Sequence, residues 1–200
     1  MGAWGPGLYS DDVTEDVRGI YVDKLHRGKN GEQASKEMIA EFEWACSDED
    51  DAPVFWFAMA DMQWNYGRLQ EEVKKKALYY LDDMKNLQRW EHENPKMAEK
   101  RKQVLNELRK KLNTLQPSEK KVSQYRLYHC QWKVGDMYAY QLEGEYAKER
   151  GLNGKYLLFY KIAESIWWPG HVIPVVYIKL TENNEIPKTR EELEKLEYIQ

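Results

Sequence analysis

The residues of this chain that could do chemistry are few and widely spaced. Among its 200 residues are four histidines and two cysteines. No two histidines stand four residues apart and no C-x-x-C occurs, so the spacing of a zinc site is missing. His129 and Cys130 are adjacent, but neighbours on a strand point to opposite faces and would not readily share one ion. We therefore expect neither a metal nor another cofactor.

Nucleophilic catalysis needs a thiol or hydroxyl beside a base. Cys130 and His171 both lie in the second half of the chain and could meet there. The alternative is a cysteine that packs as a small hydrophobe and a histidine that makes one hydrogen bond, and we favour it. The P-loop, G-x-G-x-x-G and G-x-S-x-G patterns do not occur. We expect a protein that is not an enzyme.

Asp61 interrupts the most apolar stretch of the chain, residues 54–60. A buried carboxylate could act as a general base. It could equally bond a neighbouring element, such as the Trp4 indole or the Arg68 guanidinium. We favour the second interpretation, because a buried carboxylate without a partner costs much free energy.

The elements that position these residues fall into two classes. Apolar residues recur with helical spacing up to about residue 115, which predicts five helices in a compact antiparallel bundle, the fourth over residues 69–87. The first begins with Asp12 as its N-cap and ends at Gly28. The segment 54–60 is apolar on nearly every side and is predicted to be the central, buried helix.

Helical periodicity stops around residues 116–121, where we place the boundary between a helical domain, residues 1–115, and a β-rich domain, residues 122–200. Alternating apolar residues predict strands at 125–130, 136–142, 155–163 and 172–180, with a short helix at 143–150. Pro174 inside the last strand indicates a sheet edge or a bulge. The predicted fold class is α+β: an N-terminal helical bundle followed by a small, partly open antiparallel β-barrel with a short helical insert.

Charge is unevenly distributed. The net charge is only −4, yet residues 96–121 hold 9 basic and 3 acidic side chains, whereas the first third is acidic. The basic segment could contact nucleic acid, or it could be a helix face that is solvated or docked on the acidic helices. Two cysteines cannot form a disulfide framework, which favours a reducing compartment. No apolar run is long enough to span a bilayer. We expect a cytoplasmic protein.

Aromatic residues with a polar group form the most informative pattern, since the chain has 8 Trp and 14 Tyr but only 4 Phe. Two aromatic segments, 132–140 and 167–171, adjoin predicted turns and therefore lie at the surface. The rings could instead fill the barrel. Adjacent Trp167 and Trp168 on extended chain must face opposite ways, so both cannot enter one core. The predicted binding residues are Trp132, Asp136, Tyr138, Trp167, Trp168 and His171.

Two resemblances follow from these residues. The opening Met1-Gly2-Ala3-Trp4-Gly5, followed by Asp11-Asp12, resembles that of an uncharacterised bacterial family. Residues 132–140, with the core Lys-Val-Gly-Asp-Met-Tyr-Ala, resemble the first strand of immunity-protein-type barrels of polymorphic toxin systems. This second resemblance implies a non-enzymatic protein that binds a toxin domain, often a nuclease.

The sequence thus predicts a binding protein that acts through contacts with another protein, as an immunity, antitoxin or counter-defence factor. The acidic first third could also mimic phosphate and block a basic nuclease cleft. The alternative is a nucleic-acid-binding regulator that uses the basic segment 96–121 together with the β-barrel.

Overall fold

The computed structural model describes residues 4–199, Glu93 by its backbone only, so the first three residues of the opening motif lie outside the described part. The chain divides into two compact units between Tyr125 and Arg126. We call them the helical unit and the sheet unit. The helices of the helical unit are α1 (Asp12–His26), α2 (Gly31–Glu41), α3 (Glu43–Cys46), α4 (Asp51–Asn65), α5 (Glu71–Asp83), α6 (Lys85–Glu93) and α7 (Pro95–Leu112).

The helical unit is built around α4. Every residue from Ala52 to Gln63 is buried, which confirms the prediction of a central helix. The N-cap of α1 is Asp11, whose carboxylate accepts a hydrogen bond from the Val13 amide, one residue before the predicted cap. The single helix predicted over residues 69–87 is divided, because Met84 takes a left-handed conformation with φ 60° between α5 and α6.

Residues 116–125 form no helix or strand and lie against the other elements of the helical unit. The Lys120 amide donates to the Tyr66 carbonyl at 3.0 Å, and the Tyr125 amide donates to the His26 carbonyl at 2.8 Å. Gly67, at φ +67°, lies so near this segment that an added Cβ would stand 2.5 Å from the Pro117 carbonyl oxygen. These contacts place the segment in the helical unit, so the division between units falls later than the predicted end of the helical domain at residue 115.

The sheet unit confirms the α+β class. Its strands are β1 (Tyr128–His129), β2 (Met137–Gln141), β3 (Tyr156–Trp167) and β4 (His171–Leu180), with helices α8 (Glu145–Glu149) and α9 (Arg190–Lys195). They form an open sheet in the order β1-β4-β3-β2. Strands β2, β3 and β4 are antiparallel as predicted, and β1 joins β4 in parallel.

Strand β1 pairs with β4 only as far as Val172, so β4 is no longer paired with β1 at Pro174. The missing amide of this proline therefore breaks no ladder on that side. A bulge lies opposite, on β3 between Lys161 and Ala163. Both observations agree with the prediction of an edge or a bulge at this place.

The sheet has two faces, each named here after a buried lysine. Paired residues share a face, so the register sorts the side chains. The Lys161 face carries Tyr138, Tyr140, Phe159, Lys161, Glu164 and Val176; the Lys179 face carries Tyr160, Trp167, His171, Tyr177 and Lys179.

Helix α9 lies over part of the Lys179 face. The Lys179 ammonium donates to the carbonyls of Leu193 at 2.9 Å and Leu196 at 2.8 Å, and it lies 4.2 Å from the centre of the Tyr198 ring. The lysine thereby holds the end of a short helix on the sheet. In the described part of the chain, no helix combines the length and apolarity needed to cross a membrane.

Candidate functional site

The six predicted binding residues fall into two groups at different places in the sheet unit. Trp132, Asp136 and Tyr138 lie at the beginning of β2. The Trp132 and Tyr138 rings meet edge to face, with 4.5 Å between their centres. An Asp136 carboxylate oxygen accepts a hydrogen bond from the Lys133 amide at 2.9 Å and closes the turn that leads into β2.

We call the second group the hairpin cluster: Tyr128, Trp167, Trp168 and His171. Trp167 and His171 are the last facing pair of the β3–β4 hairpin, and 70% of Trp167 is exposed. The His171 ring stacks on Tyr128, with 6.0 Å between centres and 28° between planes. Trp168 is half-buried and precedes Pro169 through a cis peptide bond.

Tyr128 belongs to this cluster although it was not among the predicted binding residues. Its amide donates to the Gly170 carbonyl at 2.8 Å, which fixes β1 beside the hairpin turn. The sequence signal for it was the predicted strand at 125–130. That signal does not identify the partner strand, because a parallel pair two residues long leaves no periodicity of its own.

The two groups are separated along β3. Tyr160 faces the first residue of β2, and Trp167 ends the strand seven residues later. At about 3.3 Å per residue, Tyr160 and Trp167 lie roughly 23 Å apart along the strand. Tyr138 lies on the Lys161 face, whereas Trp167 and His171 lie on the Lys179 face, so the predicted residues form two groups on opposite faces of the sheet.

A polar network centred on Lys161 lies between them. The Lys161 side chain is fully buried, and its ammonium donates to the Trp132 carbonyl and, at 2.6 Å, to a Glu164 carboxylate oxygen. His129 Nδ1 lies 3.7 Å from the other Glu164 oxygen. The network ties the segment that carries Trp132 to the strand that leads to the hairpin cluster.

The hydrogen bond between Glu164 and Lys161 shifts the pKa of both groups. It lowers the pKa of the Glu164 carboxyl and raises the pKa of the Lys161 ammonium, and partial desolvation opposes each shift. Both groups are therefore held in their charged forms. A buried ammonium needs such partners, since an unpaired one would be costly to desolvate.

An aromatic groove lies beside Trp132 on the Lys161 face. Its volume is about 610 Å³, and it is lined by Cys130, Trp132, Tyr138, Tyr140 and Phe159, among others. The Trp132 indole nitrogen is buried, and no acceptor among the described residues lies within hydrogen-bond distance of it.

Cys130 and His171 are engaged on different faces. The Cys130 sulfur lies 3.5 Å from the Lys161 ammonium, on the Lys161 face. The His171 ring packs on Tyr128 on the Lys179 face. The structure thus does not bring this thiol and this imidazole together as a nucleophile and its base.

Asp61 has the structural role that we favoured, with partners other than those expected. Its carboxylate accepts hydrogen bonds from the Tyr9 hydroxyl at 2.8 Å, the Asn65 amide at 2.8 Å and the Lys111 ammonium at 2.6 Å. Burial and the negative charge of Asp61 raise the pKa of Tyr9 strongly. Arg68 instead pairs with Glu119 at 2.9 Å.

Three cations of the basic helix α7 are used inside the helical unit. Arg101 is 3% exposed and donates to Asn86 Oδ1 and to the Gly7 carbonyl, each at 3.0 Å. Its desolvation lowers the pKa to about 10. Arg109 pairs with Asp82 at 2.5 Å, and Lys111 pairs with Asp61. This engagement reduces the positive charge that α7 could offer to phosphates.

Between residues 4 and 199, no three histidine, cysteine or carboxylate side chains are grouped so as to hold a metal ion. Comparison of the chain with family models, curated proteins and solved structures gives no match. The functional argument therefore depends on the surfaces of the molecule.

Proposed function

We propose that this protein works by binding another protein through the hairpin cluster. The observation that carries the proposal is Trp167, a large ring with 70% of its surface exposed at the end of a hairpin. Tryptophan and tyrosine are the residues that most often dominate binding energy at protein interfaces. Here the hairpin and its neighbour β1 hold Trp167, His171 and Tyr128 in fixed positions, which lowers the entropy lost on binding.

The partner class that we propose is a toxin domain, with this chain as an immunity or antitoxin factor of a bacterial or phage-related system in the cytoplasm. The resemblance of residues 132–140 to immunity-protein-type barrels supports this choice. Two free cysteines, Cys46 and Cys130, are consistent with a reducing compartment. A nuclease would bring a basic cleft, which the acidic first third of the chain could meet.

The experiment is affinity purification of the tagged protein from its native host, with nuclease treatment, followed by mass spectrometry. We expect one protein in equimolar amount with the wild type. In the Trp167→Ala variant, retention of that protein should fall at least about tenfold, the loss expected for an interface anchor. The matched control is Trp44→Ala, which removes a ring that is 47% exposed in the helical unit, and it should retain the partner.

The proposal fails if no protein is retained, or if Trp167→Ala and Trp44→Ala retain it equally well. If the untreated sample carries a nucleic acid whose binding weakens steeply with salt, the alternative regulator is favoured. Substituting the exposed Lys102 of α7 should then weaken that binding, while Trp167→Ala should not.

A further inference from the structure

The outer edge of the sheet is an unprotected strand. Strand β2 lies at the end of the strand order and pairs only with β3. Its five residues, Met-Tyr-Ala-Tyr-Gln, contain no charge and no proline, and the register with β3 contains no bulge. Monomeric proteins normally protect such an edge with one of these devices, because it can pair with another chain.

The hydrogen bonds at the two ends of β2 show which backbone groups point outward. The Lys161 amide donates to the Asp136 carbonyl at 3.0 Å, and the Leu142 amide donates to the Lys155 carbonyl at 2.8 Å. Even-numbered residues of β2 therefore bond to β3, since bonded and non-bonded pairs alternate in an antiparallel ladder. The amides and carbonyls of Met137, Ala139 and Gln141 then point to the free edge.

We propose that β2 pairs antiparallel with β2 of a second copy, centred on Ala139, to form a continuous eight-stranded sheet. This register places Ala139 opposite Ala139 and Met137 opposite Gln141, each as a hydrogen-bonded pair. The small alanine at the two-fold axis lets the copies approach without a clash. All three outward amides and all three outward carbonyls acquire partners in this arrangement.

The side chains support this register. Tyr138 of each copy faces Tyr140 of the other on the Lys161 face, and both rings are largely exposed in the single chain, at 55% and 62%. They form non-hydrogen-bonded pairs, in which side chains approach most closely and aromatic pairs stabilise the sheet.

Charges at the two ends of β2 favour the antiparallel direction. Lys133 and Asp136 lie in the turn before the strand, so that end carries one charge of each sign, whereas Glu143 and Glu145 follow the strand; all four are exposed. Antiparallel pairing brings the end with Lys133 near the acidic end of the other copy. Parallel pairing would bring the acidic ends together, and like charges at close range are unfavourable.

The test is the mass of the full chain in solution over a range of concentrations, by sedimentation or light scattering. We expect a dimer that dissociates on dilution. Ala139→Pro should raise the dissociation constant of the dimer at least about a hundredfold. The proline removes the outward amide at the two-fold axis and leaves the amides that bond to β3. Ala139→Ser is the control, since serine retains that amide and adds a single oxygen, and it should remain dimeric.

A second variant tests the register. In a Cys130→Ser background, Ala139→Cys should form an interchain disulfide on mild oxidation, because facing hydrogen-bonded residues have Cα atoms about 5.5 Å apart. Tyr146→Cys, at an exposed position on α8, is the matched control and should not be crosslinked. The proposal is overturned if the wild type is monomeric up to about 1 mM, or if Ala139→Pro dimerises as well as Ala139→Ser.

These outcomes are distinguishable from those of the proposed function. Trp167 stands at the far end of β3 from β2, so Trp167→Ala should leave the dimer intact. If Trp167→Ala abolished self-association while Ala139→Pro did not, the hairpin cluster would be the dimer contact, and the edge proposal would be wrong.

Discussion

The two units use the same kinds of residue in opposite ways. The helical unit buries Phe55, Trp56 and Phe57 in succession on α4, whereas the described hydrophobic residues buried in the sheet unit are Ala147, Leu158 and Val172. The sheet unit instead exposes most of its tyrosines and Trp167. Burial of apolar area is the main favourable term in folding, so the helical unit holds more of the folding free energy.

This difference indicates that the two units have different roles. The helical unit keeps most of its aromatic rings buried or half-buried, although Trp4, Trp44 and Tyr79 are exposed. A sheet with exposed rings on both faces and the unprotected edge of β2 can gain buried area only by binding something.

The largest effect is expected at the centre of α4. Phe57 is fully buried, and Phe57→Ala should lower the free energy of unfolding by about 4 kcal/mol, from lost burial and the cavity left behind. The measurement is urea denaturation followed by circular dichroism. Tyr140→Ala in the sheet unit is the comparison and should cost less than about 0.5 kcal/mol. Equal losses would remove the contrast between the units.

The next effect concerns the buried ion pair of the helical unit. Asp61→Ala removes the carboxylate to which Tyr9 and Lys111 donate, leaving Lys111 only the Asn65 oxygen at 2.7 Å, and should cost about 3 kcal/mol. Asp61→Asn keeps the shape and some of the hydrogen bonds, so its loss should be smaller. The same denaturation experiment measures both. An unchanged stability in Asp61→Ala would contradict a structural role for this carboxylate.

A smaller effect is expected where two rings of the sheet unit touch. Tyr177 packs on Tyr198 with 5.0 Å between ring centres, and it is 49% exposed. Tyr177→Ala should cost about 1 kcal/mol, the usual worth of such a pair with its modest burial. Trp167→Ala, which removes a ring that is mostly in solvent, should cost less. The reverse order would mean that Trp167 supports the fold and is not free for a partner.

The smallest effect is a pH dependence. Because the hydrogen bond from Lys161 lowers the pKa of Glu164 in the folded state below 4.5, this carboxylate stabilises the folded form above pH 4.5. That contribution disappears as the pH falls through the folded pKa. The difference in unfolding free energy between the wild type and Glu164→Gln should therefore shrink on acidification. A difference that stays constant between about pH 7 and about pH 3 would show that this pair does not titrate with folding.

Local patterns predicted α4 and the strand segments, because an apolar run and an alternation are recorded in neighbouring residues. Contacts between residues far apart in the chain could not be predicted from these local patterns. Arg101 belongs to the basic segment 96–121, yet it is buried, and the carbonyls of Pro6 and Gly7 accept its hydrogen bonds. The break at Met84 has no sequence signature, since a non-glycine residue rarely takes a positive φ.

The candidate site shows the same limit. The contact of Trp132 with Tyr138 follows from their closeness across one turn, and the facing of Trp167 and His171 follows from the hairpin. The contribution of Tyr128 depends on a parallel pairing. The Lys161 network depends on a contact between Lys161 and Trp132, which are 29 residues apart in the chain. Neither relation is recorded in local spacing.

The two buried lysines of the sheet also determine how the protein would respond to reagents that attack amines. Lys161 and Lys179 donate to carbonyl groups and are closed to solvent, whereas Lys133 and Lys148 are exposed. Brief acetylation of the folded protein should label the exposed pair first. Trypsin should likewise release the β3–β4 hairpin as one intact fragment, since the lysines within it would become cleavable only after the sheet has opened.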